Sequence, residues 1–291
     1  MDLGNIITNS FKYPAGDLKK FLIICILCAL PFIPLFCFDL MDNNVEILVG
    51  IWLILVLVEI LIIPGYLISV VKEGCGLSKS VPSIKVGRNI INTLKYILLN
   101  IIYSLVPLLV LVIGVFALGM SSLPVFESVT KITKLDDVAN LLSNIPNMLS
   151  NFINSILILL AVFLIVSFIF SLLSYVATAR FAKHNKLGEA FRSIIGDIKQ
   201  IGVLKLIAWY IVMGMMVSII VDVAAFVLFV PYAGVFIYFA IVFPYVLMVY
   251  YYSLGLLHSS VEGSGEEFDF DEFDLNEFEK EIKSIRRMYY E

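Results

Sequence analysis

Residues 179–202, ARFAKHNKLGEAFRSIIGDIKQIG, form a polar and basic segment between two of the most apolar runs of the chain. The segment carries five lysines or arginines and two acidic residues. The flanking runs, at 152–179 and 203–230, each exceed the roughly 20 apolar residues that a helix needs to cross a bilayer. The pattern therefore predicts two membrane-spanning helices joined by a charged loop.

The same criterion finds six apolar runs along the 291 residues. Hydrophobic residues make up 60% of the chain and charged residues 15%, whereas soluble domains are about half apolar and a quarter charged. We therefore expect an all-α fold, a polytopic membrane bundle of six transmembrane helices, within residues 1–260. The predicted spans are about 19–38, 46–71, 94–119, 152–179, 203–230 and 232–257.

The first run follows Lys19 and Lys20 and superficially resembles a signal peptide. About twenty residues precede it, and no small-residue cleavage site follows it, so we interpret it as a retained helix. Pro31 and Pro34 predict that this helix bends or ends near its far side.

An even number of spans places both termini on one side of the membrane. Every lysine and arginine except Lys131 and Lys134 then falls on that side. Because short cytoplasmic loops carry the excess of basic residues, this side is predicted to be cytoplasmic, in a cell membrane.

Both basic loops show helical spacing of apolar residues. In the second loop the stripe predicts an amphipathic interfacial helix whose apolar face lies toward acyl chains or toward the bundle. A shorter stripe predicts a similar helix in the first loop, entered through Pro82. The stripes are Leu187, Phe191, Ile194, Ile195, Ile198 and Ile201, and Val86, Ile90, Ile91 and Leu94. The basic residues expected to contact anionic lipid headgroups are Lys72, Lys79, Lys85, Arg88, Arg180, Lys183, Lys186, Arg192 and Lys199.

Residues 261–291 form a second unit of different composition. Their first half is acidic and rich in phenylalanine, which is typical of a flexible linker. Residues 274–291 have the apolar spacing of an amphipathic helix. We expect this helix to dock on the protein's own basic face or to bind a protein partner.

Three polar residues within the predicted spans are candidates for an intramembrane site: Glu59, Asp222 and Asn100. An acidic residue in a span marks a possible ion or substrate pathway. The alternative is a satisfied polar contact between helices, with Asn100, Tyr103 or Tyr210 as the partner of Glu59. A small-residue ridge on the fourth span predicts close helix packing. It consists of Ser167, Ser171, Ser174 and Thr178.

Motifs of soluble enzymology are absent from the sequence, including a phosphate-binding loop, HExxH and a nucleophile elbow. His184 and His258 are isolated in sequence, so we expect no metal and no cofactor. The net charge of −4 argues against nucleic-acid binding. Catalysis is therefore not the first expectation.

Four stretches, SFKYPAGDLKKFLI, LPFIPLF, PGYLISVVKEG and ATARFAKHNKLGEAF, resemble an archaeal family of multi-pass membrane proteins of unknown function (DUF4013-like). The resemblance covers about residues 5–260 and implies six spans, and it implies no catalytic residues. Residues 75–79 depart from it, since the family's loop tends to be acidic there. The matching residues include Gly65, Tyr66, Leu187, Gly188, Ala190 and Phe191.

Three functional hypotheses follow. The first is a non-catalytic, lipid-interacting membrane protein or a scaffold of a membrane complex. The second is a small transporter or permease component that uses Glu59 and Asp222. The third is a membrane enzyme acting on lipid headgroups, which requires polar residues that converge at the cytoplasmic boundary.

Overall fold

A computed structural model describes residues 2–36, 45–130, 135–230 and 233–261, and for 35–36, 120–130 and 135–148 it describes the backbone alone. All regular secondary structure in these ranges is helical. Short 3₁₀ turns at Pro14–Asp17, Leu30–Phe32 and Phe226–Phe229, and a π turn at Tyr238–Val242, link some of the helices. The α-helices are α1 (Leu3–Lys12), α2 (Leu18–Ala29), α3 (Ile33–Phe36), α4 (Val45–Cys75), α5 (Val86–Thr130), α6 (Leu135–His184), α7 (Leu187–Phe191), α8 (Ile194–Ile201), α9 (Val203–Ala225), α10 (Ala233–Ile237) and α11 (Phe243–His258).

Five stretches in the described ranges are long and apolar enough to cross a membrane, and they are 26–36 residues long. A helix of 20 residues already spans the roughly 30 Å hydrocarbon core. The chain is therefore a membrane protein with five well-defined candidate spans. They are Val45–Cys75, Val86–Gly119, Leu149–His184, Val203–Phe229 and Ala233–His258.

The first predicted span is broken, because the 3₁₀ turn Leu30–Phe32 separates α2 from α3. Proline fixes φ and lacks an N–H donor, so Pro31 and Pro34 interrupt the helix where the sequence predicts a bend. Neither α2 nor α3 alone reaches the length of a span. The structure therefore supports five spans directly and leaves the sixth as a prediction.

Three aromatic contacts show that the N-terminal segment runs antiparallel to the last helix. Tyr13 stacks on Tyr252 with ring centroids 3.8 Å apart. Further along, Phe21 meets Tyr245 edge-on at 6.3 Å, and Phe32 stacks on Phe239 at 4.7 Å. Thirteen residues separate 252 from 239, a rise of about 20 Å in a helix.

Helix α4 makes two close backbone crossings. At Gly65, a Cβ atom would collide with the Asn89 carbonyl of α5, and at Gly255 of α11 it would collide with the Val71 carbonyl. Only glycine permits backbones to approach this closely, which is a common device of membrane helix packing. These crossings hold α5 and α11 against the C-terminal half of α4.

The helix expected in the first loop is not separate from the next predicted span. Residues 76–85 are non-helical, and the stripe from Val86 to Leu94 is the start of α5 itself. In the second loop the expected helix exists as two short ones, α7 and α8. The break falls at Ser193, whose φ of 58° places it in the left-handed region.

The predicted tail helix at 274–291 lies outside the described residues.

Candidate functional site

Four segments that are distant in sequence meet at one end of the bundle, which we call the basic end. Lysine side chains at helix ends donate hydrogen bonds to loop carbonyls there. Lys20 Nζ lies 2.7 Å from the Val81 carbonyl, and Lys95 Nζ lies 3.4 Å from that of Asn185. Lys183 Nζ lies 3.5 Å from the Val261 carbonyl. The start of α2, both basic loops and the end of α11 therefore share one end of the fold.

At the centre of the basic end, Arg180 of α6, Asp197 of α8 and His258 of α11 form a buried cluster. Nη1 of Arg180 donates to both Asp197 carboxylate oxygens, at 2.7 and 2.8 Å. His258 Nε2 lies 3.1 Å from Asp197 Oδ2. Arg180 Nε donates to the Glu189 carbonyl of α7 at 2.8 Å. The three members are 8%, 3% and 2% exposed.

The cluster holds its carboxylate ionised. Burial by itself raises the pKa of Asp197, but hydrogen bonds from His258 and Arg180 and the electrostatic interactions with these two groups outweigh burial. The net pKa of Asp197 lies below its usual value of 3.8. A buried carboxylate with two donors is therefore a fixed anion, and it ties α8 to α6 and α11.

Two expectations are corrected here. Arg180 is expected to contact lipid headgroups, yet it is buried and paired with Asp197. His258 is isolated in sequence but not in space, since it bonds the same carboxylate. The inward position of Asp197 was predictable from its spacing along the helix. Asp197 follows Ile194 by three residues and precedes Ile201 by four, so it lies on the stripe that faces the bundle.

The cluster has little means of acting on a substrate. His258 Nδ1 is buried and has no hydrogen-bond partner in the described ranges, so no nucleophile is positioned beside it. Its members are also closed to solvent. The arrangement is that of an internal tie between helices, which gives the enzyme hypothesis no support.

The outer side of α7 and α8 contrasts with this interior. Phe191 and Ile195 are 41% and 69% exposed, and the side chain of Arg192 is 75% exposed. Lys199, one turn after Ile195, is exposed as well. We call these four residues the α7–α8 surface. The rest of the predicted stripe packs inward, since Leu187, Ile194, Ile198 and Ile201 contact the core or lie in it.

The remaining basic candidates differ in exposure. Lys79, Lys85, Arg88 and Lys186 are exposed, whereas Lys72 and Lys183 are half-buried. A half-buried lysine at the end of a span presents only part of its side chain to the surface. The exposed residues are therefore the better candidates for headgroup contacts.

No hydrogen bond or ion pair joins the intramembrane candidates to one another in the described part of the chain. Glu59 is half-buried and interacts with the Cys28 thiol of α2, and not with Asn100, Tyr103 or Tyr210. Asn100 accepts from Ser174 Oγ at 3.2 Å and donates to the Tyr96 carbonyl at 2.9 Å. Asp222 is exposed, and its nearest donor is the Ser218 hydroxyl at 3.4 Å.

The family-like residues have structural roles near the basic end. Gly65 permits the α4–α5 crossing, and Tyr66 and Ala190 are fully buried. Gly188 lies in open space on α7. Phe191 stacks on Tyr103 of α5 with centroids 5.7 Å apart, so α7 touches the membrane-spanning part of the fold.

No group of three or more histidine, cysteine, aspartate or glutamate side chains able to hold a metal ion occurs in the described part of the chain. The Arg180–Asp197–His258 cluster contains only two potential ligands, and the arginine occupies the carboxylate. The residues there therefore do not fit a metal.

A family model, described as a protein of unknown function (DUF4013), matches residues 48–230. The match covers more than half of the 291 residues, and the chain belongs to this family. It takes in α4 to α9 and includes Arg180, Asp197 and the α7–α8 surface, whereas His258 lies beyond it. No curated protein and no solved structure matches the chain.

Proposed function

We propose that this DUF4013 protein is a lipid-interacting integral membrane protein that presents the α7–α8 surface to the anionic leaflet of an archaeal cell membrane. It acts without catalysis, as a lipid-binding or scaffolding component. The α7 and α8 helices lie in the membrane interface on the cytoplasmic side. Both termini are on that side as well.

One observation carries the proposal. Exposed apolar side chains and exposed basic side chains follow one another along the α7–α8 segment, at Phe191, Arg192, Ile195 and Lys199. The opposite side of the same segment is fixed to the bundle through Asp197. An apolar residue beside a cation is the composition of an interfacial segment, because the apolar group enters the acyl boundary while the cation meets the headgroups.

The expected strength is moderate. A basic residue near an anionic surface contributes about 1 kcal/mol, so Arg192 and Lys199 together contribute about 2 kcal/mol, or roughly 30-fold in affinity. Because α8 is already held in place, little conformational entropy is lost when lipid binds.

A sixth span completes the proposed topology. The segment from Tyr13 to Phe32 follows α11 and the π turn before it over about 20 Å through three aromatic contacts, which supports a broken helix that crosses the bilayer. With six crossings, the convergence of both ends of residues 2–261 at the basic end is explained. The excess of basic residues there supports a cytoplasmic location.

Native mass spectrometry of the detergent-extracted protein tests the lipid role. The wild-type chain is expected to retain phosphatidylglycerol in preference to phosphatidylcholine. The double variant R192Q/K199Q is expected to lose that preference by more than tenfold.

The matched control is K12Q/K19Q, which removes two exposed charges of the N-terminal segment that are not among the expected headgroup contacts. We expect it to change lipid retention by less than threefold. An equal loss in the two double variants would show a general charge effect and would refute the α7–α8 surface as the binding site.

Transport is the second candidate, and the contact between Glu59 and Cys28 favours it. This half-buried carboxylate lies beside the broken N-terminal segment, and broken helices often form ion sites. A proton or cation pathway through Glu59 predicts pH-dependent flux in proteoliposomes that Glu59→Gln abolishes. The transport hypothesis also includes Asp222, which is exposed and bonds Ser218 in the described part of the chain.

Residues 274–291 are proposed as a docking helix for a protein partner. Truncation after Gly263 tests that role by loss of a co-purifying protein.

A further inference from the structure

A cleft of about 400 Å³ opens between α5 and α6. This volume is within the range of small-molecule sites in proteins. Its walls combine hydroxyl and amide groups with aromatic and aliphatic side chains from both helices. They are Asn100, Tyr103, Ser104, Pro107, Leu108 and Leu111 of α5, and Phe163, Ser167, Phe170, Ser171 and Ser174 of α6.

The serine ridge of α6 therefore faces a cleft, whereas the sequence predicts close helix packing at that position. Ser174 is satisfied by Asn100. Within the described part of the chain, the hydroxyls of Tyr103, Ser167 and Ser171 make no hydrogen bond. In a bilayer no water is at hand to satisfy such groups, so each one favours a ligand that offers a donor or an acceptor.

The backbone adds an acceptor. Pro107 lines the cleft and lacks an N–H, so the Tyr103 carbonyl, four residues earlier, loses its usual helical donor. A free carbonyl accepts hydrogen bonds but cannot donate them. The site thus requires a ligand group that donates to the carbonyl and accepts from a serine or tyrosine hydroxyl.

The position of the cleft restricts access to molecules dissolved in the membrane. Asn100 lies five residues beyond Lys95 and Leu111 sixteen, which corresponds to about 8 and 24 Å along the helix. Measured from Arg180 on α6, Ser174 lies about 9 Å deep. Leu108, on the cleft wall, is 53% exposed, so the cleft is open at the surface of the helix pair.

We propose that this cleft binds a membrane-dissolved lipid alcohol, a molecule with a long apolar body and a neutral hydroxyl group. Among the described residues that line the cleft none is charged, so an anionic headgroup has no counter-ion there. A hydroxyl both donates and accepts, which matches the Tyr103 carbonyl on one side and the Ser167 and Ser171 hydroxyls on the other. Phe163, Phe170 and Leu111 enclose the apolar body.

The site is distinct from the α7–α8 surface but adjoins it, because Phe191 stacks on Tyr103. The inference deepens the lipid-interacting function by naming a second lipid class and a second place for it. The inference depends on the proposed function only because that function places the cleft within the bilayer. R192Q/K199Q removes headgroup binding and leaves the cleft intact, so the two proposals fail separately.

The test uses a photoreactive long-chain alcohol that carries a diazirine on its alkyl chain, and the methyl ether of the same compound. Wild-type protein in phosphatidylcholine vesicles is irradiated with each probe, and labelled peptides are mapped by mass spectrometry. We expect the alcohol to label residues 100–111 and 163–174 about fivefold more than the ether, since the ether cannot donate to the carbonyl. Equal labelling by the two probes would overturn the proposal.

Variants give a second readout. S167L/S171L fills the cleft and is expected to abolish the preference for the alcohol, and Y103F is expected to reduce it. Ser218→Leu, at an exposed position of α9, is the control and is expected to leave labelling unchanged. A preference that persists in S167L/S171L would overturn the site. If that variant does not fold, the comparison of alcohol and ether on the wild-type chain still decides.

Discussion

Replacing Asp197 with alanine removes the carboxylate that accepts two short hydrogen bonds from Arg180 and one contact from His258. The guanidinium then stays buried with only the Glu189 carbonyl at 2.8 Å and its carboxylate at 3.8 Å. Breaking a buried ion pair by removing one partner costs about 3–5 kcal/mol. We expect Asp197→Ala to lower the free energy of unfolding by that amount.

The double variant R180M/D197A removes the uncompensated charge together with its partner. It is expected to cost less than about 2 kcal/mol, because replacing a whole buried pair with apolar groups is often near neutral. Arg192→Ala breaks a solvent-exposed pair with Glu189 at 3.7 Å and is expected to cost less than about 1 kcal/mol. The two arginines of one segment thus differ several-fold in their effect.

Unfolding is measured by titration with SDS in mixed micelles, followed by helicity and by the reactivity of the buried Cys28 thiol, which is 1% exposed in the fold. Equal losses of the free energy of unfolding for Asp197→Ala and R180M/D197A would contradict this expectation, because they would mean that the unpaired, buried arginine carries no penalty. A cost below about 1 kcal/mol for Asp197→Ala would show that the cluster is not buried in the membrane-bound protein.

Three further predictions concern the bundle and the acid limb of stability. Because the pKa of Asp197 is depressed, its contribution to the free energy of unfolding is complete above about pH 4 and is lost as the pH falls further. In the same SDS titration, the wild-type protein should therefore lose stability more steeply in acid than Asp197→Asn. Gly255→Ala forces a Cβ against the Val71 carbonyl and should cost about 1–3 kcal/mol, whereas Gly214→Ala, which enters open space, should be tolerated. The Thr93 hydroxyl accepts from the Gly65 N–H at 2.8 Å and donates to the Leu61 carbonyl of α4. Thr93→Val removes this hydroxyl and should lower the free energy of unfolding by about 1–3 kcal/mol, and Thr93→Ser should restore most of the stability.

The long spans are predictable from sequence because a run of about 20 apolar residues has few alternatives to a membrane helix. The broken first span is predictable in part, since Pro31 and Pro34 mark the break. Where a helix enters the bilayer is not readable from periodicity. The stripe from Val86 to Leu94 has helical spacing, but no proline separates it from the span. It therefore forms the first part of α5.

The buried cluster is harder to predict, because its members come from three helices and lie 17 and 61 residues apart. No local spacing pairs Arg180 with Asp197, and basic residues in loops are usually solvated. The break at Ser193 also lacks a signal, since left-handed residues are commonly glycine or asparagine. The cleft between α5 and α6 depends on the separation of two helices, which a serine ridge alone does not specify.

The most direct test of the central claim is the depth of Ile195 in a bilayer. A nitroxide label at Ile195→Cys, with the native cysteines replaced by alanine, is compared with a label at Gln200→Cys on another side of α8. Collision rates with oxygen and with a water-soluble nickel complex report depth in vesicles that contain anionic lipid. Position 195 is expected to lie about 5–10 Å into the headgroup and acyl boundary, while position 200 remains accessible to water. Equal exposure of both positions to the nickel complex would contradict the interfacial location of α8.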